Sequence, residues 1–269
     1  MVGFTPAIAP LFVPADRPDR FAKAALSGTD AVILDLEDAV APGAKDRARA
    51  ALCCDFTDLP VVVRVNAIGT QWYPDDIAAL RAQPVAAVLL PKAECRAAIE
   101  AMAASLPGLA VVALIETARG LAAARDIAAS PAVRQLAFGS IDFCADLGMD
   151  HRRDLLLPAR SELVMASRLA GIAAPLDGVT AQLDDPELCH ADAAEARALG
   201  MGGKLCIHPR QITPVRRAFQ PSDDQIAWAR RVLAASTGAG DGGAVAVDGQ
   251  MVDAPVRLRA RAILSAAGG

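Results

Sequence analysis

The chain has only three histidines, His151, His190 and His208, and none stands at a spacing that zinc sites use. Its six cysteines (Cys53, Cys54, Cys95, Cys144, Cys189 and Cys206) include no C-x-x-C pair. A chain of 269 residues needs no disulfide staples, so they read as reduced packing residues. Any metal should therefore be held by oxygen. No apolar run approaches the roughly 20 residues that span a bilayer, because Pro, Gly or a charge interrupts each one. The start, MVGFTPAIAPLFVP, lacks the basic residues and long apolar stretch of a secretory signal, so a cytoplasmic location is the expectation. There is no basic excess either. A formal net charge of -4 leaves no overall footprint for nucleic acid or an anionic membrane. G-x-G-x-x-G follows no early apolar run, which argues against a dinucleotide fold, and the absence of G-x-S-x-G argues against a serine nucleophile.

What the chain does have is 54% hydrophobic and 22% charged residues, enough to bury a large core. Eight short apolar runs recur along it: 11–14, 31–37, 61–66, 86–92, 110–116, 135–142, 175–181 and 203–209. Near-continuous apolarity implies burial on both faces, and helix-length, alanine-rich segments separate the runs. That alternation predicts parallel βαβ units, since parallel neighbours need a long crossover. Eight units in about 250 residues fit a closed (β/α)8 TIM barrel, with a doubly wound open sheet as the runner-up.

Helix signals accompany these strands. Pro18 marks a first turn, Asp75 and Asp76 follow Pro74, and Pro158 is expected to open the segment ARSELVMASRLAG. Residues 221–236 read as a further helix. The expected organisation is a barrel catalytic domain over 1–235, then a Gly-rich linker and a C-terminal docking helix over 236–269. Val256, Ala260, Ile263, Leu264 and Ala267 fall on one face of that last helix, which should dock on another surface, a neighbouring subunit being one candidate.

In such barrels the active site forms at the C-terminal ends of the strands. Almost every run here closes on a polar group there: Asp35, Glu37 and Asp38; Arg64 and Asn66; Lys92; Glu116; Asp142; His208. Each alone could mark only where a strand meets water. Glu116 and Asp142 each close an almost wholly apolar run, and two carboxylates on adjacent strands can reach one hard cation such as Mg2+. The structural alternatives are an ion pair of Glu116 with Arg119 or Arg64, and a turn cap by Asp142. Arg64, inside VVVRVN, needs an anion, either a substrate oxygen or the acids at 35–38. Asp35, Glu37 and Asp38 exceed what one metal requires, so they are expected to orient Arg64 or Lys92 from behind.

The segments LFVPADRPDRFAKA, AVILDLEDAVAPGAK, RVN, LLPKAE, LIETARG, FGSIDFCADLG, GKLCIHPRQI and GQMVDAP, in this order, resemble the citrate lyase β-subunit family within the HpcH/HpaI aldolase superfamily. The resemblance runs over almost the whole chain. Ala15 stands where that family commonly has glycine, and MVD where MID is usual. The resemblance implies a (β/α)8 barrel, usually a homo-oligomer (trimer or hexamer), and a Mg2+ ion. It implies cleavage or formation of a carbon-carbon bond in a 3-hydroxyacyl-CoA such as citryl-CoA, malyl-CoA or citramalyl-CoA. Alternatives are a hydroxyacyl-CoA thioesterase on the same metal site, or a non-catalytic barrel subunit of a larger complex. By position, Glu116 and Asp142 correspond to the metal ligands and Arg64 to the substrate clamp. Phe12, Arg17 and Lys23 correspond to residues near CoA, and Asp253 to an acid/base contributed to a neighbouring subunit.

Overall fold

The computed structural model describes residues 4–237, 245–248 and 250–267. Eight strands, β1 (Leu11–Pro14), β2 (Val32–Asp35), β3 (Val61–Arg64), β4 (Ala87–Leu90), β5 (Ala110–Ile115), β6 (Val133–Phe138), β7 (Ala173–Asp177) and β8 (Gly203–Lys204), form one sheet in sequential order. All pairings between neighbours are parallel. The sheet closes on itself: Cys206 bridges to Leu11, Phe12 N–H donates to the Cys206 carbonyl at 2.9 Å, and Lys204 N–H donates to the Ile8 carbonyl at 2.8 Å. This is the expected (β/α)8 barrel.

Both faces of the strands are buried, which accounts for the unbroken apolar runs. Ile33, Val62, Leu89, Val112, Leu114 and Leu176 fill the interior. Their strand neighbours Leu34, Val63, Leu90, Val111, Ala113 and Ile115 lie buried on the other side.

Three local expectations change. Asp142 does not end β6, which stops at Phe138; it lies in the first turn of the helix Ser140–Leu147. His208 lies beyond β8, where its Nδ1 accepts from Arg210 N–H at 3.1 Å and caps the turn Pro209–Gln211. Pro158 does not open its helix but sits inside the helix Arg153–Ala170. Proline lacks an N–H, so the only intrahelical bond lost is the one to Asp154, in the first turn.

The chain divides into two compact units, Met1–Arg217 and Ala218–Gly269, so the boundary falls before the helix Asp223–Thr237 and not at residue 235. The second unit consists of that helix, an antiparallel hairpin of β9 (Val245–Val247) and β10 (Gln250–Val252), and the helix Ala254–Ala267. Its core joins Ala229, Val232, Val247, Val252 and Ala260, with Val256, Ile263 and Leu264 packed against them. The apolar face of the last helix therefore docks on its own chain; Ala267, expected on that face, is exposed. The Gly-rich linker at 238–244 lies outside the described residues.

Candidate active site

β2 and β3 are in register such that Asp35 pairs with Arg64. The Asp35 carboxylate accepts from Arg64 Nε at 2.7 Å and Nη2 at 2.6 Å, and from the backbone N–H groups of Glu37 and Ala39 at 2.8 and 3.1 Å. The remaining Arg64 nitrogen, Nη1, lies 3.1 Å from Glu37 and 3.5 Å from Asp38. Its guanidinium carbon stands 4.8 Å from the centre of the Phe12 ring. Burial by itself would lower the Arg64 pKa; the hydrogen bonds and charge of Asp35, then of Glu37 and Asp38, overcome it and raise the pKa. The arginine is thus a fixed, permanent cation. Hydrogen bonds and ion pairs to the acids at 35–38 hold it in place.

Lys92 ties this cluster to the next strands. Its Nζ donates to Glu37 Oε1 at 2.8 Å, while its backbone N–H donates to Glu116 Oε1 at 2.8 Å. Lys92 holds a positive φ of 47°, a conformation that costs a non-glycine residue on the order of 1 kcal/mol and here aims the amide at the carboxylate.

Glu116 follows β5. The rung that pairs Ile115 with Phe138 continues into Gly139, whose N–H donates to the Ile115 carbonyl at 2.9 Å. Gly139 thereby lies against Glu116: a Cβ there would come within 2.5 Å of the Glu116 Cβ. Glu116 is 1% exposed, and its Oε2 is buried without a hydrogen-bond partner. Neither alternative cation reaches it, since Arg64 is engaged with the acids at 35–38 and Arg119 lies 4.0 Å from Glu94. Burial, then the charge of Glu37, with a contribution from Asp142, pushes its pKa up to about 8.

A cavity of about 460 Å³ opens over these groups, lined by Phe12, Asp35, Asp38, Arg64, Glu116, Gly139, Ser140 and Asp142 among others. A larger groove of about 620 Å³ lies at residues 80–86 and 105–109, which precede β4 and β5 at the opposite end of the barrel, and Arg81 is its only ionisable lining residue. Size and chemistry thus point to different places, and the chemistry is at the rim. Glu37 lies behind Arg64 without lining the cavity. Arg17, paired with Asp19 at 3.0 Å, and Lys23, on the helix Phe21–Ala25, are exposed and do not line it.

The donor set suits Mg2+. A buried carboxylate oxygen without a partner, in a pocket shared with a second carboxylate, is costly unless a cation meets it. Among the described residues no group of three or more His, Cys, Asp or Glu is arranged around one point. Mg2+ commonly takes only one or two carboxylates and leaves its other positions to water and substrate. Gly139 and Ser140 escaped the reading of the sequence; the signal was the Gly-Ser pair between a buried strand and the acid at 142.

The sequence profile of the HpcH/HpaI aldolase/citrate lyase family matches residues 9–209. The chain belongs to that family. A citrate lyase subunit beta-like protein from Mycobacterium tuberculosis is 43% identical over 270 residues, covering 96% of this chain and 94% of the relative. A (3S)-malyl-CoA thioesterase from Cereibacter sphaeroides is 36% identical, covering 90% of this chain and 88% of the relative. Among solved structures, the protein CitE from Mycobacterium tuberculosis in complex with magnesium, acetoacetate and coenzyme A matches with a TM-score of 0.88 and 42% identity, over 97% of this chain and 98% of that one. As an HpcH/HpaI aldolase/citrate lyase family member, the chain carries its orphaned carboxylate at the barrel end where this architecture places active sites. Among the described residues, no helix is long and apolar enough to cross a membrane.

Proposed function

We propose that the chain is a Mg2+-dependent carbon-carbon lyase that cleaves, or forms, a 3-hydroxyacyl-CoA such as citryl-CoA, malyl-CoA or citramalyl-CoA, giving an oxo acid and an acyl-CoA. The observation that carries this reading is the buried, unpartnered Glu116 oxygen in one cavity with Asp142 and Arg64. Glu116 and Asp142 would hold the ion. When bound, Mg2+ supplies Lewis-acid polarisation of the substrate's oxygens.

The chain's own residues do the rest. Arg64 presents a fixed cation to the enolate oxygen of the departing acyl group, already oriented by Asp35, so little reorganisation is needed as charge develops. Asp38, with 56% of its side chain exposed, is the outermost of the acids that hold the guanidinium, 3.5 Å from Nη1. Phe12 packs against the guanidinium and, with Arg17 and Lys23, would lie toward the CoA portion. Asp253 exchanges the proton at the acyl carbon in the site of a neighbouring subunit, in a cytoplasmic homo-oligomer (trimer or hexamer). The Asp253 side chain is exposed and accepts from Val256 N–H at 3.2 Å at the start of the last helix.

The thioesterase relative favours one rival outcome on the same site, water attack on the thioester. Assay of a panel of hydroxyacyl-CoA thioesters with and without EDTA separates them. An oxo acid plus acyl-CoA is the expected product; free CoA with an intact hydroxy acid would mean hydrolysis, and no turnover of any compound would mean a non-catalytic subunit. Glu116→Ala and Asp142→Ala should each abolish turnover and oxo-acid binding. For Asp253→Ala, mixing with Glu116→Ala chains should restore part of the activity that each variant lacks alone.

A further inference from the structure

Cleavage of a 3-hydroxyacyl-CoA must take a proton off the hydroxyl oxygen, because that O–H electron pair becomes the new C=O bond. The groups assigned so far do not accept it. Asp35 already accepts four hydrogen bonds, Arg64 is a cation, Glu116 and Asp142 are assigned to the ion, Asp38 is paired to Arg64, and Asp253 is assigned to the acyl carbon. Among the residues lining the reaction cavity, Ser140 carries a hydroxyl, and that hydroxyl is held by a residue outside the cavity: Ser140 Oγ and His151 Nε2 are 2.9 Å apart.

Ser140 is 4% exposed and forms part of the wall between the reaction cavity and a small polar cavity of about 30 Å³, which His151, Arg160, Asp177, Asp192 and Lys204 help to line. Its position is set from two sides. His151 takes one hydrogen bond, and Gly178, just past β7, gives the side chain room: a Cβ on Gly178 would meet Ser140 Oγ and come within 2.7 Å of Ser140 Cβ. His151 itself is exposed, so a proton reaching it has an exit to water.

We propose that Ser140 and His151 form a proton relay for the substrate hydroxyl, Ser140 Oγ accepting the hydroxyl proton as it passes its own to His151 Nε2. The inference rests on the lyase reading above. The electrons of the broken C–C bond go to the α-carbon of the acyl-CoA, which takes up one proton, while the proton lost from oxygen leaves through His151; condensation runs the same transfers in reverse. Ser140 touches the substrate, and His151 acts through it. The relay uses the tautomer protonated at Nδ1, which leaves the Nε2 lone pair for the serine proton.

The surroundings suit this. Partial burial, and then the Lys204 ammonium, hold His151 below the usual histidine pKa, with Asp192 and Asp177 pulling the other way. The cations and acids facing the ring are themselves paired: Asp177 takes Arg160 at 3.0 Å and Lys204 at 2.9 Å, and Asp192 takes Arg153 at 3.2 Å. The imidazole is thus neutral near pH 7 and free to accept.

The test compares Ser140→Ala and His151→Gln with the unaltered chain, with Mg2+ saturating at every pH, on whichever thioester of the panel it cleaves. Glutamine keeps a hydrogen bond to Ser140 but takes up no proton. Both variants should lose about a hundredfold in kcat with KM within about threefold, and the acidic limb of the kcat–pH profile should vanish in His151→Gln. Calorimetric binding of oxaloacetate with Mg2+, and the melting temperature, should stay near those of the unaltered chain, which separates the effect from misfolding. Variants with kcat within about threefold of an active unaltered chain, or an acidic limb retained in His151→Gln, overturn the relay alone. Free CoA with intact hydroxy acid from the unaltered chain overturns the lyase reading, and the relay with it.

Discussion

Asp35 and Arg64 occupy the same register position of neighbouring strands and form a two-point ion pair, Nε to Oδ1 at 2.7 Å and Nη2 to Oδ2 at 2.6 Å. Both side chains are largely withdrawn from water, at 1% and 11% exposure. Asp35→Asn replaces one acceptor by an N–H group that repels the guanidinium. Breaking a buried pair of this kind costs about 3–5 kcal/mol, read as a lower urea midpoint, and kcat/KM should fall as Arg64 swings toward Glu37 and Asp38.

Gly139→Ala should disturb the ion site and cost stability together. Gly139 has φ of -87°, which alanine adopts, but Glu116 is buried and its Cβ is fixed to the backbone, so the two segments must move apart and the melting temperature should fall as well. The new methyl would press on the Glu116 side chain, whose Cβ lies 2.5 Å from its ideal position. Mg2+ affinity by calorimetry should drop about 10- to 100-fold, and an unchanged affinity would remove Glu116 from the ion site.

The raised pKa of Glu116 makes both ion binding and stability depend on pH. A proton competes with the cation below about 8, so apparent Mg2+ affinity should climb by up to about tenfold per pH unit from pH 6 toward 8 and then level off. In EDTA the sign reverses for stability. The folded chain keeps a proton that the unfolded chain releases above 4.5, so stability should decline as the pH rises from there toward about 8. Glu116→Gln should flatten both slopes, measured by calorimetry and by urea unfolding across that range.

Asp177 is the single carboxylate between two cations that are 3% and 4% exposed, Arg160 and Lys204. Its removal in Asp177→Ala leaves both charges buried, with Arg160 retaining only Glu195 at 3.1 Å. A loss of about 3–5 kcal/mol in urea unfolding is expected. Asp177→Asn, which preserves an acceptor for one of them, should lose less.

The barrel and the place of Glu116 at a strand end were legible in the sequence, and the reasons are local. A strand buried on both faces must be apolar nearly throughout, and a charge that closes such a run, as Glu116 closes 110–115, stands out against it. The terminal helix was legible for the same reason, since Val256, Ala260, Ile263 and Leu264 recur at its own period. What covers that face was not, because amphipathicity says that a partner exists without saying which. The partner is the helix Asp223–Thr237 of the same chain, and so the boundary moved to Arg217.

Tertiary structure alone decided how the polar groups pair. Whether Arg64 met a ligand or the acids at 35–38 depended on the lateral register of β2 against β3, which neither strand's own pattern encodes. The same holds for Ser140 with His151, eleven residues apart, and for Asp177 with Lys204, twenty-seven apart. Hydrogen bonds and ion pairs act over about 3 Å, so they answer to where the backbone brings two side chains. Hydrophobic burial is not directional and is written along each segment separately. The sequence by itself therefore determined which segments are strands and helices and which acids stand at the rim; closure of the barrel determined what each of those acids, the arginine and the histidine touches.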